Sequence, residues 1–289
     1  MRKAFRRVIR DAVAEALALL PVRIKRHIMS HFRRPVLWLL FHLETEPVTI
    51  ARAGLPPHRF RMWLEWQSNL DYVLGAYESE AVDSARRSVR LGSCCVDVGA
   101  NLGYYTLSMA HWVGSDGLVV AFEPFPSNFE ALKENVRLNE LRNVMLEPSA
   151  AADRNESIPL TYGLEEKFSA TPSVNGYAVH GTTQQIRVPA RSLDDYLLGL
   201  GRAPDLIKID VEGAELAVLQ GARHTLEKVH PVLLIEIHGW GTPSSEEVHR
   251  FLDQFGYQIV LLGRKGREAT VLCTNRRDST SPRIESPIT

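Results

Sequence analysis

The sequence predicts a doubly wound, Rossmann-like α/β sheet that follows an N-terminal helical extension. From residue 94 onward, short apolar runs alternate with helical patterns, as is typical of parallel strands joined by right-handed crossovers. The last two apolar runs are separated by the hexapeptide GRKGRE, which is too short for a crossover helix. The final strand must therefore turn back, and we expect six parallel strands followed by one antiparallel strand.

Each element of the sheet follows from a local pattern of apolar residues. Seven apolar runs are expected to form strands, at 94–98, 118–122, 144–147, 205–210, 232–237, 257–262 and 270–273. Helical spacing predicts helices between the first six runs, at 104–112, 126–140, 192–199, 213–228 and 244–255. The stretch 163–184 is polar and rich in Gly, Ser and Thr, and we expect it to be a long loop.

The remaining sequence is divided by composition. The predicted segments are a basic helical extension with a connector (1–70), the main domain (71–275) and a polar tail expected to be disordered (276–289). Within the first segment, Pro and Gly recur over 45–60, which indicates the connector. A helix is expected from residue 60 to Gly75, and another from Ser79.

The net charge of zero hides an asymmetry along the chain. Residues 1–36 carry ten Lys or Arg against two acids, a net charge of +8, so the remainder carries −8. Over 4–20, apolar residues recur at helical spacing, with Arg on the opposite face. We favour a helix packed on the body or on another subunit. The alternative is peripheral contact of residues 1–43 with an anionic membrane surface.

The cysteine and hydropathy patterns bear on location. Three cysteines without a spaced framework favour a reducing compartment, and no apolar run approaches the ~18 residues needed to span a bilayer. The basic N-terminus is interpreted as a retained helix rather than a signal peptide, because no small-residue cleavage site follows it. A mitochondrial targeting helix is the alternative. The predicted location is cytoplasmic, with membrane association as a secondary hypothesis.

The stretch CCVDVGANLGYYTL raises the question of what its glycine loop holds. In an open α/β sheet, ligands bind beyond the carboxyl ends of the strands. Gly99 and Gly103 permit a sharp turn and the close approach of a ligand, and the following helix presents N–H groups to an anion. Glu123 ends the second strand twenty residues after Gly103, where its carboxylate can accept from both ribose hydroxyls. These features predict a nucleoside.

The loop departs from the dinucleotide pattern G-x-G-x-x-G, because Asn101 and Tyr104 stand at its second and third glycine positions. A ligand with an amino acid in place of pyrophosphate fits better. Its ammonium could meet Asp97, and its carboxylate could meet the amides of the loop and of the helix start. S-adenosylmethionine has these parts.

Three motifs in this order, DVGANLGYYT, AFEPFPSNFEALKENVRLN and IKIDVEGAELAVLQG, resemble the FkbM family of S-adenosylmethionine-dependent methyltransferases. The resemblance covers about residues 72–240. It implies the class I methyltransferase fold, and an enzyme that usually methylates a hydroxyl of a sugar, polyketide or similar small molecule.

The resemblance also implies which residues bind the cofactor. These are Asp97, Gly99, Asn101 and Gly103 around the methionine part, Glu123 on the ribose, Asp153 or the backbone near it at the adenine edge, and Tyr77 and Glu78 closing over the methionine end. For Tyr77, simple packing against the sheet is an equal alternative.

Methyl transfer to a hydroxyl requires the proton to leave as the oxygen attacks, so we expect a base or a metal at the ends of the fourth and fifth strands. The candidate catalytic residues there are Asp210, Glu212, Glu236 and His238. His238 suits a general base, since histidine titrates near neutrality, whereas Glu215 is expected to cap a helix. A divalent metal held by Asp210, Glu236 and His238 is a minority hypothesis.

We therefore predict an S-adenosylmethionine-dependent O-methyltransferase that acts on a sugar, a glycan or glycolipid, or a polyketide-like small molecule. One alternative is an RNA methyltransferase, because the basic arm could contact phosphates. Nucleic acid is nevertheless disfavoured, since the turn after the fourth strand is DVEG rather than the N/D-P-P-Y/F of base-methylating enzymes. The other alternative is a non-catalytic cofactor-binding or membrane-docked protein. The acceptor and the oligomeric state are left open.

Overall fold

The structure, a computed structural model, describes residues 48–50, 60–63, 78–163 and 182–275, with only the backbone given for the first of these ranges. Three predicted features lie outside these ranges. They are the helix over 4–20, the helix predicted from residue 60 to Gly75 beyond its first four residues, and the tail. Among the described residues, none of the helices combines the length and apolar character that crossing a bilayer requires.

The described elements alternate along the chain much as expected. The helices are α1 (Ser79–Arg87), α2 (Tyr104–Val113), α3 (Pro126–Leu138), α4 (Leu193–Leu200), α5 (Glu215–Gln220), α6 (Arg223–Lys228) and α7 (Pro243–Asp253). The strands are β1 (Val48–Ile50), β2 (Phe60–Met62), β3 (Cys94–Val98), β4 (Leu118–Phe122), β5 (Val144–Glu147), β6 (Ala150–Ala152), β7 (Glu156–Gly163), β8 (Thr183–Ser192), β9 (Leu206–Ile209), β10 (Val232–His238), β11 (Tyr257–Lys265) and β12 (Glu268–Asn275).

The central sheet has seven strands in the order β11-β12-β10-β9-β3-β4-β5. Strands β5, β4, β3, β9 and β10 are parallel neighbours, and β12 runs antiparallel to both β10 and β11. Six strands therefore share one direction and the last strand opposes them, which confirms the predicted fold. The strand order reverses beside β3, and this is where an open sheet forms its ligand crevice.

Helices cover both faces of the central sheet. Helices α1, α2 and α3 contribute to the core on the face that includes Leu234, whereas α4 to α7 pack on the face that includes Ile235. Side chains alternate between the faces along a strand. Asp97 and Lys208, which are paired in register, therefore lie side by side on the α1–α3 face of the sheet.

A short antiparallel ribbon of β1 and β2 stands where the sequence predicted a connector and the start of a helix. The physical reason lies on α3, whose asparagine side chains imitate a neighbouring strand. Arg61 N donates to Asn139 Oδ1 (2.8 Å), and Asn139 Nδ2 donates to Arg61 O (2.7 Å). Asn135 Oδ1 accepts from Trp63 N at 2.7 Å. These long-range bonds hold β2 extended, so the helix prediction from residue 60 is wrong at its start.

A second sheet, in the order β6-β8-β7, was not predicted. The expected loop over 163–184 is wrong at both ends, because residues 163, 183 and 184 are in strands; residues 164–181 lie outside the described ranges. Along β7 and β8, buried apolar residues alternate with exposed polar ones, and the buried set packs with Phe125. The many polar residues on the outer face hid this period of two.

Gly221 divides the helix predicted over 213–228 into α5 and α6. A Cβ at this position would lie 1.9 Å from the carbonyl oxygen of Ala152 in β6. The Gly221 carbonyl in turn accepts from Ser192 Oγ (3.0 Å) and from Asp194 N (2.8 Å). The backbone of residue 221 therefore lies directly against the second sheet, and the helix is interrupted to permit this contact.

We expect Gly221→Ala to lower the free energy of unfolding by about 2 kcal/mol, because a methyl group would be forced against backbone that cannot rotate away. The matched control is Gly199→Ala in α4, where a Cβ would have nothing within 4 Å. This control should instead raise the free energy of unfolding by about 0.5 kcal/mol. Urea denaturation of both variants measures the difference, and equal effects would contradict the packing described here.

Candidate functional site

A cleft opens beyond the carboxyl ends of β3, β4 and β9, at the point where the strand order reverses. It encloses about 600 Å³ of space, open solvent included. Its walls combine carboxylates and apolar side chains. The described lining residues are Val98, Gly99, Asn101, Phe122, Glu123, Pro124, Asn128, Ser149, Ala150, Ala151, Leu160, Asp210, Val211, Glu212 and Ala214.

The glycine loop between β3 and α2 forms one wall of this cleft. Gly99 has φ +77°, and a Cβ there would lie 1.8 Å from the carbonyl oxygen of Asp210. Its amide and that of Ala100 both donate to the carbonyl of Phe122, at 3.0 and 2.9 Å. Gly103, with φ +97°, is the N-cap residue of α2. The loop is thus pressed between β4 and β9, and a side chain at residue 99 would have no room.

Glu123 lies at the end of β4, where the sequence predicted an acid facing the ligand. It is 3% exposed, and its two carboxylate oxygens accept from Asn101 N (2.8 Å) and Phe125 N (2.9 Å). Burial raises the pKa of Glu123 to about 7, against the lowering effect of these amides and of Lys208. A carboxylate oxygen accepts more than one hydrogen bond, so the group keeps capacity for hydroxyls of a ligand in the cleft.

The adenine-edge prediction named Asp153 or the backbone near it; the side chain of Asp153 does not line the cleft, whereas Ala150 and Ala151 do. Asp153 is exposed, pairs with Arg154 at 3.2 Å, and is absent from the described residues that line the cleft. Its exposure follows from its position just after β6, at the outer end of the second sheet. Ser149 lies in the cleft instead, fully buried, and no described group forms a hydrogen bond with its Oγ. No local signal in the sequence distinguishes this serine.

Asp97 lies beneath the glycine loop rather than on the cleft surface. It is fully buried, accepts from Thr106 Oγ1 at 2.6 Å and lies 3.5 Å from Lys208 Nζ. The same Nζ lies 3.4 Å from Asp210 Oδ2 and donates to Gly99 O at 2.9 Å. Lys208 was assigned no role from the sequence, although a lysine within an apolar strand, on the face shared with Asp97, was the available signal.

His238 lies between two carboxylates at the end of β10. Its Nε2 is 3.1 Å from Glu212 Oε2, and its Nδ1 is 2.8 Å from Glu215 Oε1. Burial would lower its pKa, but hydrogen bonds to Glu212 and Glu215 and their charges outweigh burial and raise the pKa to about 11. Glu215 also accepts from Gly213 N (2.9 Å) at the start of α5. A pKa raised in this way favours the protonated ring at neutral pH, so this arrangement does not support the general base predicted at His238.

Glu236 and Glu78 extend the acidic group on the α1–α3 face. Burial raises the pKa of Glu236 to about 8, and the charges of Asp210 and Glu78 add to the effect. Glu78 is the N-cap residue of α1, and its Oε2 accepts from the hydroxyl of Tyr105 at 2.7 Å. Tyr77, its predicted companion, lies outside the described residues. The structure therefore brings Glu236 and Glu78 toward Asp210 but not into the described lining of the cleft.

The structure brings together a set of candidate metal ligands that differs from the set predicted from the sequence. Within the described ranges, Asp210, Glu212 and His238 are the group whose ligand atoms lie within 4.8 Å of one another; the sequence hypothesis had Glu236 in place of Glu212. Both ring nitrogens of His238 contact carboxylates, so a cation would have to displace the proton facing Glu212. The imidazolium already supplies the positive charge that these acids require.

We expect the stability of the protein to fall as pH rises from 7 toward 10. The folded state raises the pKa of His238 from 6.5 to about 11. Its contribution is therefore complete below pH 6.5 and is lost progressively as pH rises toward 11. In His238→Gln, the unfolding free energy should be lower at pH 7 and should depend less on pH in this range. The exposed His224→Gln is the control for urea denaturation across pH, and equal slopes in both variants would refute the assignment.

Known proteins resemble this chain over its central part. The family model for the methyltransferase FkbM domain matches residues 97–259. Hexuronic acid methyltransferase AglP of Haloferax volcanii is 31% identical over 156 residues, which cover 51% of this chain and 56% of that protein. Methyltransferase 1 of Beauveria bassiana is 29% identical, over 45% of this chain and 58% of that protein. The chain thus spans little more than half the length of these two relatives.

Methyltransferase sdnD of Sordaria araneosa is 30% identical over 195 residues, which cover 57% of this chain and 73% of that protein. Among solved structures, an FkbM methyltransferase from Methylobacillus flagellatus has 21% identity and a TM-score of 0.47, over 71% of this chain and 52% of that one. At this TM-score the structural likeness carries no argument about activity. The family model, by contrast, matches more than half of the chain, and the chain therefore belongs to the FkbM methyltransferase family.

Proposed function

We propose that this protein transfers a methyl group from S-adenosylmethionine to a hydroxyl of a sugar, a glycan or glycolipid, or a polyketide-like small molecule. The observation that carries the proposal is the cleft, in which a glycine loop without room for a side chain faces a buried carboxylate, Glu123. Membership of the FkbM family supports the donor. The printed name of the relative AglP, a hexuronic acid methyltransferase, supports an acceptor of the sugar class.

The residues present fit the donor. Glu123 would accept from the ribose hydroxyls, since its oxygens face the cleft with acceptor capacity left. Ser149 Oγ, buried without a hydrogen-bond partner among the described residues, would meet a polar edge of the adenine, with Leu160 as an apolar wall. The loop lines the cleft at Gly99 and Asn101 and would lie against the amino-acid end. The amides of Gly99, Ala100 and Asn101 already donate within the protein. When bound, the donor supplies an electrophilic methyl group on a sulfonium.

Asp210 is the group best placed to receive the proton of the acceptor hydroxyl. It follows β9 directly and lines the cleft, and Lys208 Nζ lies 3.4 Å from its Oδ2. Glu236, with its pKa raised to about 8, holds its own proton at neutral pH. His238 is a fixed cation that holds Glu212 in place. The chain's own part in the reaction is thus to align the two substrates and to accept one proton at Asp210.

We expect the affinity for S-adenosylmethionine to increase as pH rises from 6 to 8. The pKa of Glu123 is about 7 before a ligand binds, and the ionised carboxylate accepts more strongly from the ribose hydroxyls. Glu123→Gln should bind about tenfold more weakly at pH 8 and should lose most of this pH dependence. Titration calorimetry at several pH values measures both effects.

The control for this measurement is Glu130→Gln on α3, whose side chain is 65% exposed. It should leave the affinity and its pH dependence as they are in the unmodified protein. A pH dependence that survives unchanged in Glu123→Gln would refute the ribose assignment. An unmodified, folded protein that binds no S-adenosylmethionine would refute the proposed function itself.

We expect Asp210→Asn to lower the rate of methyl transfer by about 100-fold or more, because the acceptor proton loses its base. Donor affinity should remain, since the amide keeps the size of the carboxylate. The measurement is transfer of radiolabelled methyl to a panel of neutral sugars, uronic-acid sugars and glycolipids. The exposed Asp116→Asn serves as the control. Activity that persists in excess chelator would exclude the metal alternative, and full activity of Asp210→Asn would contradict the assignment of Asp210 as the proton acceptor.

A further inference from the structure

Lys208 is a buried cation at the centre of the sheet's functional end. It lies in β9 with 5% exposure, and a charge in such a place is costly unless it is paired and hydrogen-bonded. Two carboxylates, those of Asp97 and Asp210, lie within 3.5 Å of its Nζ and compensate its charge.

The contacts of this ammonium join segments that are distant in sequence. Its Nζ donates to the carbonyl of Gly99 at 2.9 Å and lies 3.5 Å from Asp97 Oδ1 and 3.4 Å from Asp210 Oδ2. The ring of Tyr105, in α2, lies 5.4 Å away on another side. Yet Lys208 is not among the described residues that line the cleft. Its influence on a ligand must therefore act through the groups that it holds.

The peptide units on the two sides of Gly99 are held from opposite directions. The Gly99 amide donates to Phe122 O in β4 at 3.0 Å, and the Gly99 carbonyl accepts from Lys208 in β9 at 2.9 Å. Without the ammonium, that carbonyl would lose its described donor, and Asp97 and Asp210 would lose the cation between them. The loop would then have one fixed side instead of two.

We propose that Lys208 is a positioning residue of the donor site, which fixes the Gly99 carbonyl and so orients the loop that receives the methionine half of the donor. The inference rests on the proposed function, because it takes the loop to be the seat of the amino-acid end. The inference divides the donor site into two parts. The ribose and adenine part depends on Glu123 and on the end of β5, whereas the methionine part depends on the position of the Gly99 carbonyl that Lys208 holds.

This separation provides the test, with S-adenosylhomocysteine and adenosine as the two probes in titration calorimetry. In Lys208→Met, S-adenosylhomocysteine should bind roughly 10- to 100-fold more weakly, which is the scale of effect expected for a small misplacement of aligned groups. Adenosine, which has no methionine half, should lose far less affinity, only what the missing charge of Lys208 costs through the pKa of Glu123. Thermal melting confirms that the variant is folded at the temperature of the titration.

Two further variants complete the test. Thr106→Val removes the hydroxyl that donates to Asp97 without touching Gly99, so it should leave the affinity for both probes unchanged. Lys208→Arg keeps the charge but not the fit to Gly99 O. Its loss of affinity should be confined to S-adenosylhomocysteine and should be smaller than that of Lys208→Met. This variant carries the test if Lys208→Met does not fold.

Each other outcome counts against the inference. An equal loss for both probes would show a merely structural role for Lys208, and no loss for either would show that the loop holds its position without it. If the unmodified protein binds adenosine but not S-adenosylhomocysteine, the loop is not a methionine site and the inference falls with that part of the assignment. If it binds neither probe, the proposed function fails as well.

Discussion

The close approach of two backbones, at Gly99 and Asp210, is the constraint on which the rest of the site depends. A Cβ at residue 99 would lie 1.8 Å from the Asp210 carbonyl oxygen, so the loop after β3 and the turn after β9 share one narrow space. Because they meet there, the glycine loop, the carboxylate of Glu123 and the side chain of Asp210 all line one cleft. A parallel sheet brings strand ends together, but this contact sets the distance between the donor loop and the candidate base.

The same closeness concentrates negative charge, and two buried cations offset it. Lys208 lies among Asp97, Asp210 and the Gly99 carbonyl, and His238 lies between Glu212 and Glu215. Each cation is held in one position by at least two partners. Removing a partner would leave an uncompensated buried charge, which is strongly destabilising. The fixed cations leave the acids with different tasks. Glu212 is held, Glu236 retains its proton at neutral pH, and Asp210 faces the cleft as the candidate proton acceptor.

Several features of the fold could be predicted because they depend on local patterns. The hexapeptide between the last two apolar runs forced the antiparallel turn of β12, and the glycine loop and Glu123 followed directly from their places at strand ends. The predictions failed where distant contacts decide the structure. Asn135 and Asn139 keep β2 extended, and Gly221 breaks a helix because it packs on β6. The general base was assigned to His238 from its ordinary pKa, whereas the carboxylates around it, brought from the turn after β9, raise that value to about 11.

The sequence by itself therefore determined the number and directions of the strands, the loop that faces the ligand crevice and the family to which the chain belongs, since periodicity and motif spacing are properties of contiguous residues. Only the tertiary structure decided which ionisable groups carry a proton. Protonation depends on burial and on charges from other strands, as with Lys208 on the face of Asp97. The tertiary structure also decided which polar residue lies in the cleft, where Ser149 stands in place of Asp153. Protonation responds to distances of a few ångströms between segments far apart in the chain, and sequence spacing does not encode those distances.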